Sequence, residues 1–333
     1  MSGIDSSILP GTDIRVSSLG LGCARIGGVF AGQSRVEDLK LLRQAFDAGV
    51  RLFDTADIYG QGESERLLGE AFGGCRKDVV IVSKAGYQLP RRKSAVQRLK
   101  PILRPVAHRL GFAGRRLPTG LSAGLAGQRF DPESIVAAAD ASLRRLKTEY
   151  LDILLLHSPP PEVIADGSFA EAATVLRQSG RIRTLGVSCE RPEDALLALA
   201  QDSVSCVEIN FSLLHPEAIA AALPAAMRGR KGVIGRQCFA SGLLTWALSD
   251  PRLAAQPSER IADLRRCHAV ANELGRPLGE LALAFSLATE GVSPTLLGAH
   301  TQRQLEENLG WSRAVLGEDE YRQLYGANSS QHR

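Results

Sequence analysis

The sequence predicts an α/β protein built on a parallel sheet, and three observations lead there. Short apolar runs alternate with amphipathic helical stretches. Several of the runs are apolar at nearly every position, as strands covered on both faces are. Polar residues gather just past their C-terminal ends, where parallel β/α proteins place their chemistry. Val50-Arg51-Leu52-Phe53 leads into Asp54-Thr55-Ala56-Asp57-Ile58-Tyr59-Gly60, Val79 to Ser83 runs into Lys84, and Leu151 to Leu156 runs into His157.

Taken in order, residues 1–13 read as a short leader, and Val16–Gly22 reads as a first strand whose glycines permit close backbone approach. Cys23–Gly32 follows as a loop at the mouth, with Phe30 either a pocket wall or a loop anchor. Glu37–Ala48 carries Leu39, Leu42, Ala45 and Phe46 at helical spacing and stops at Gly49. The second strand delivers Asp54, Ser64–Phe72 forms a helix, and the third strand delivers Lys84.

The rhythm breaks between Gly86 and Phe130, where a βα loop normally needs about two to six residues. Val96, Leu99, Leu103, Val106 and Leu110 trace a helical face there, which Pro101 and Pro105 interrupt. Residues 89–129 hold ten Arg or Lys and no Asp or Glu, so the net charge of +4 conceals an acidic remainder. Leaving the third strand, this basic insertion at 88–130 emerges on the polar side of the sheet. It reads as a lid that recognises an anionic substrate, or as a solvated hairpin packed on the rim. Its cations lack an interleaved series of aromatics, so no nucleic-acid partner is expected.

Asp131 caps a helix with Pro132 at its first position, running to about Leu146, and the fourth strand then delivers His157. Ser158-Pro159-Pro160-Pro161 ends regular structure, and Phe169–Ser179 is the next helix, closed by Gly180. Arg183–Val187 carries Ser188 and Cys189, Val204–Ile209 contains Glu208, and Val233–Arg236 is the seventh strand. Two helices, Ile261–Leu274 and Leu278–Thr289, precede an eighth strand at Ser293–Leu297. A helix starting just beyond it would offer unpaired backbone N–H groups to a phosphate.

Asp54, Tyr59, Lys84 and His157 make chemical sense together. A free phenol has a pKa of about 10, too high for efficient proton donation near neutrality. An adjacent Lys ammonium lowers it by stabilising the phenolate, and a carboxylate holds that Lys charged and oriented. A neutral His can orient a carbonyl oxygen.

With Phe53–Gly60, Val82-Ser83-Lys84, Leu154-Leu155-Leu156-His157-Ser158-Pro159, Leu185-Gly186-Val187-Ser188 and Leu305-Glu306-Glu307-Asn308-Leu309 in place, the chain from about Val16 to Leu309 resembles the aldo-keto reductase family. The resemblance implies a single (β/α)8 TIM barrel over 1–333, with Asp54, Tyr59, Lys84 and His157 as a catalytic tetrad. It implies interconversion of a carbonyl and an alcohol, with a nicotinamide dinucleotide across the C-terminal mouth. Ser188 matches a residue contacting the nicotinamide carboxamide; Cys189 stands where Asn is usual, and Glu208 where Gln is common. Arg236 replaces an aromatic that stacks beneath the ring, leaving a stacked guanidinium or an ion pair with Glu208 as its alternatives.

By the same resemblance, Phe239, Ser241, Gly242 and Leu243 line the pyrophosphate, while Gly298, His300, Gln304, Glu307 and Asn308 hold the adenosine end. NADP is the family-based expectation and NAD the alternative, because Gly298 and His300 stand where a Lys or Arg commonly marks the 2′-phosphate; Arg303 is nearby. A small carbonyl compound or sugar is the implied substrate. The other class consistent with these departures is a nicotinamide-binding redox sensor that regulates a partner protein.

The six cysteines are scattered without metal-ligand spacing, and no run approaches the ~18 apolar residues of a membrane span. A reduced, cytoplasmic setting with neither metal nor membrane partner is therefore expected. Oligomeric state is open, with Trp246 and Trp311 as candidates for exposed faces.

Overall fold

The computed structural model describes residues 4–28, 33–88 and 127–329. Its centre is a closed barrel of eight parallel strands: β3 (Leu19–Gly22), β4 (Leu52–Asp54), β5 (Val80–Ala85), β6 (Leu151–His157), β7 (Ile182–Ser188), β8 (Cys206–Asn210), β9 (Gly232–Arg236) and β10 (Thr295–Leu297). Each strand pairs with its neighbours in chain order, and β10 closes the ring by pairing with β3, Thr295 opposite Leu19. The barrel predicted from the resemblance is the one observed. Phe30 and residues 89–126 of the basic insertion lie outside the described residues.

Helices cover the outside, each stopped and started by local chemistry. Arg35–Asp47 begins in a capping box in which Ser34 and Glu37 satisfy each other's backbone N–H groups. Asp131 caps Pro132–Leu146, whose first-turn proline gives up an N–H that has no helical acceptor. Pro161 likewise opens a short helix, Pro161–Asp166, so the proline run that follows the end of β6 at His157 also starts a new element.

Two corrections concern the start of the chain. Residues 1–13 are not a mere leader: β1 (Ser6–Ile8) and β2 (Arg15–Ser17) form an antiparallel hairpin. The expected strand over Val16–Gly22 is therefore two elements, one in the hairpin and one in the barrel. Leu9, Ile14 and Val16 are fully buried and join Leu52, Val82, Leu155, Cys206, Ile234 and Leu296 in one apolar cluster that fills the barrel from its N-terminal end. A second, larger cluster lies between the strands and the helices. Among the described residues, no helix is long and apolar enough to cross a membrane.

Interior space is tight. A Cβ on Gly186 would sit 2.5 Å from the Cys206 carbonyl oxygen and 2.6 Å from its sulfur. Gly186→Ala is therefore expected to destabilise the barrel by about 1–3 kcal/mol, measured by urea denaturation. An unchanged midpoint would show that β7 and β8 can move apart.

Candidate active site

Side chains alternate across a strand, so residues two apart share a face. Asp54, Lys84, His157, Glu208 and Arg236 each lie two residues beyond an interior apolar residue: Leu52, Val82, Leu155, Cys206 and Ile234. The barrel thus changes from apolar to charged within one layer, at its C-terminal mouth. Tyr59 comes from a single turn after β4, at Tyr59–Gln61, held by Thr55 Oγ1 donating to Ser64 Oγ (2.8 Å) and Ser64 Oγ donating to the Cys23 carbonyl (3.1 Å). Gly60 takes φ 57° there, and a Cβ on it would lie 2.9 Å from the Gly27 carbonyl oxygen. The turn has no room for another residue at that position.

The four predicted catalytic residues converge. Lys84 has no exposed side-chain surface; its Nζ donates to Asp54, lies 3.3 Å from the Thr55 carbonyl oxygen, and sits 5.5 Å from the centre of the Tyr59 ring. The Tyr59 and His157 rings meet edge to face at 6.0 Å. Tyr87, which the sequence reading passed over, packs perpendicular to His157 at 4.9 Å. Its position three residues after Lys84 was the available signal.

Glu208 belongs to the same cluster. Its Oε2 is 3.3 Å from Lys84 Nζ, and its Oε1 accepts from Ser188 Oγ at 2.8 Å. Arg236 Nε is 3.5 Å from Glu208 Oε1, while its Nη2 reaches Glu190 (3.1 Å) and the Cys189 carbonyl (3.2 Å). The ion pair with Glu208, one of the two readings for Arg236, is present. Glu190 was missed; it sits two residues past β7.

Burial dominates the electrostatics. It pushes Asp54 up to about 8, helped by the neighbouring Glu208 charge and opposed by Lys84. Burial would lower Lys84, but the Asp54 and Glu208 carboxylates outweigh it and hold the ammonium protonated. The Lys84 and Arg236 cations overcome the burial of Glu208 and keep its carboxyl below the usual range. Burial and the Lys84 charge lower His157 to about 3, so it is neutral at any physiological pH.

Tyr59 corrects an expectation. Lys84 acts on it in the anticipated direction, yet burial, with Asp54 and Glu208, raises the phenol above its ordinary value. Without other ligands, Tyr59 is a firmly protonated acid.

The remaining predicted residues line the mouth in two groups. Phe239, Ser241, Gly242 and Leu243 follow β9 in a tight turn in which Ser241 and Gly242 have φ of 59° and 98°. Phe239 and Leu243 are buried, and Phe239 packs against Trp311, so these two serve the core as well as the rim. Trp246 and Trp311 are half-buried against the core and are not free faces.

Beyond β10, Thr301 caps helix Gln302–Trp311 by accepting from the Gln304 N–H (3.1 Å). Gln304 Oε1 accepts from the His300 N–H (2.8 Å), and Asn308 Nδ2 donates to the Gly298 carbonyl (3.4 Å). Gln304 and Asn308 thus build this helix start, while Glu307 is exposed. Cys189 is buried, with its thiol pushed up by that burial.

A nicotinamide dinucleotide fits these residues. His157 Nδ1 and Arg236 Nε are buried polar atoms at the mouth with no hydrogen bond, and a Cβ on Gly298 would meet nothing within 4 Å. Space and buried polar atoms without a hydrogen bond are therefore available between the tetrad and a helix N-terminus suited to phosphate.

Comparison with known proteins gives the same assignment. The model of the aldo/keto reductase family matches residues 18–329. The chain is 28% identical over 319 residues to pyridoxal 4-dehydrogenase of Microbacterium luteolum, covering 90% of each protein. It is 27% identical over 310 residues to D-threo-aldose 1-dehydrogenase of a Pseudomonas species, covering 89% of each. The holo form of an aldo-keto reductase from Bacillus halodurans superposes with a TM-score of 0.79 at 25% identity, over 99% of both chains. The chain belongs to the aldo/keto reductase family and is an NAD(P)-dependent oxidoreductase acting between carbonyl and alcohol groups.

Proposed function

We propose that the protein interconverts the carbonyl and alcohol forms of a small sugar or sugar-like compound, with NADP as its preferred cofactor and Tyr59 as the proton-transfer group. The observation that carries this reading is the convergence of Tyr59, Lys84, Asp54 and His157 at the barrel mouth, with Lys84 wholly buried. The cofactor supplies or accepts the hydride; the protein supplies position and electrostatics.

In reduction, the Tyr59 hydroxyl gives its proton to the carbonyl oxygen as negative charge develops there. Lys84 faces the Tyr59 ring and stabilises the phenolate that results, while Asp54 and the Thr55 carbonyl fix the ammonium. Neutral His157 orients the carbonyl oxygen with a ring N–H. In oxidation the same phenolate takes the alcohol proton.

The sugar class is supported by the names of the relatives, which include L-galactose dehydrogenase of Arabidopsis thaliana besides the aldose dehydrogenase. Exposed Arg303 and half-buried His300 beside the phosphate-facing helix start support NADP. Fluorescence titration with NADPH and NADH, followed by a panel of aldehydes and keto sugars, tests the cofactor preference and the substrate class. Tighter binding of NADPH with repeated turnover of a sugar is expected. Equal affinities would remove the 2′-phosphate role from Arg303 and His300, and binding with only a single turnover would favour the redox sensor.

The raised Tyr59 predicts a pH dependence. A group that stays protonated donates at any lower pH and accepts only above its own pKa. Reduction is therefore expected to show no Tyr59-linked loss below pH ~10, the value of a free phenol, and oxidation to climb steadily into the alkaline range. Rate profiles in both directions check this; reduction collapsing near neutrality in parallel with a Tyr59 titration would contradict it.

A further inference from the structure

The buried charges at the mouth form a longer chain than proton transfer by Tyr59 requires. Asp54, Lys84, Glu208, Arg236 and Glu190 follow one another from β4 and β5 through β8 and β9 to the loop after β7. The resemblance leads to a neutral Gln where Glu208 stands and to an aromatic where Arg236 stands. Here Glu208 and Arg236 form one buried ion pair, joined directly to Lys84.

We propose that Glu208 is a positioning residue that divides the Lys84 ammonium between two carboxylates and so limits how strongly Lys84 acts on Tyr59, while Arg236 keeps this extra carboxylate ionised. The proposal rests on the reading of Tyr59 as the proton-transfer group.

Geometry supports each part. Lys84 Nζ makes no hydrogen bond to Tyr59; it is committed to Asp54 and the Thr55 carbonyl, with Glu208 Oε2 at 3.3 Å. Lys84 therefore influences the phenol through its field alone, and Glu208 cancels part of that field. Glu208 cannot turn away, because Ser188 Oγ donates to its other oxygen at 2.8 Å from the residue directly opposite in the ladder. Burying such a carboxylate is costly without a partner. Arg236, whose side chain is 17% exposed, is that partner, and Glu190 steadies it from the rim.

The other groups facing the cluster do not change the sign. Lys84 and Arg236 favour the Tyr59 phenolate, whereas Asp54 and Glu208 oppose it. His157 is neutral, and burial keeps the Cys23, Cys189 and Cys206 thiols protonated. Deleting the Glu208 charge therefore strengthens Lys84 at the phenol, and deleting the Arg236 charge weakens the cationic side.

The test is an ultraviolet difference titration of tyrosinate on the full-length protein without cofactor, with each variant's Tyr59→Phe counterpart subtracted so that Tyr59 alone is read. Glu208→Gln should move the Tyr59 titration toward acid by about one pH unit or more. Glu208→Asp, which keeps the charge, should stay near the parent, and Arg236→Gln should move it toward alkali. A Glu208→Gln titration that is unmoved or shifted toward alkali would overturn the proposal.

If Glu208→Gln does not melt as a folded protein, the same change in an Arg236→Gln background, which removes the buried pair whole, decides: a Tyr59 titration on the acid side of Arg236→Gln alone supports the proposal and none overturns it. Failure of the parent protein to bind a nicotinamide nucleotide or turn over a carbonyl would sink the functional reading instead. That result would leave the titration unaffected.

Discussion

Tyr59→Phe is expected to reduce turnover by about a hundredfold to ten-thousandfold while cofactor affinity stays close to that of the parent protein. The substitution removes one oxygen from a ring that packs edge to face with His157 and lies beside Lys84, so the shape of the mouth is retained. What is lost is the only phenol in the tetrad. Steady-state rates and a parallel cofactor titration separate the two effects. Near-normal turnover would reassign the proton-transfer role, with Tyr87 the next phenol along against His157.

Lys84→Met should produce the largest loss of stability. It leaves the Asp54 and Glu208 carboxyls in the barrel without the cation they share, and breaking such a buried pair costs about 3–5 kcal/mol. The cost should depend on pH in a definite direction. With the ammonium gone, the Asp54 carboxyl, already above its ordinary value, is pushed further up, and Glu208 rises because it loses one of the two cations that hold it down. A raised folded-state carboxyl takes up protons on folding, so the variant gains stability relative to the parent as pH falls. Urea denaturation at mildly alkaline and mildly acid pH measures this; a deficit that is the same at both would show that the carboxyls find other partners.

Much of this was legible in the sequence because parallel strands buried on both faces announce themselves. The run into Lys84 and the run into His157 can hardly be placed anywhere but in a covered sheet, and their polar ends then fall on one side. The hairpin at the other end was not legible. Ser6, Ser7 and Ile8 are all exposed and give no alternating pattern, and only the fold reveals that Leu9, Ile14 and Val16 plug the barrel.

The chemistry of Glu208 was half legible. Sequence alone allowed either a cofactor contact or an ion pair with Arg236. The ion pair depends on the register that sets Ser188 opposite Glu208 and Asn210 opposite Arg236, which no local signal carries. The net rise at Tyr59 was invisible for a similar reason: it comes from burial and from two carboxylates brought in by separate strands.

The seam between β3 and β10 has a further consequence during synthesis. Leu19 emerges from the ribosome long before Thr295, the residue it will pair with. At ~5–20 residues per second, that partner follows after roughly 14–55 s. Throughout the interval Leu19–Gly22 is a nascent strand with one edge unclaimed and apolar side chains on show, a state prone to association with other chains. Chaperone supply should therefore govern yield. Lesions in Thr295–Leu297 should register as material lost to aggregation in the cell before they register as a lower melting temperature in what survives.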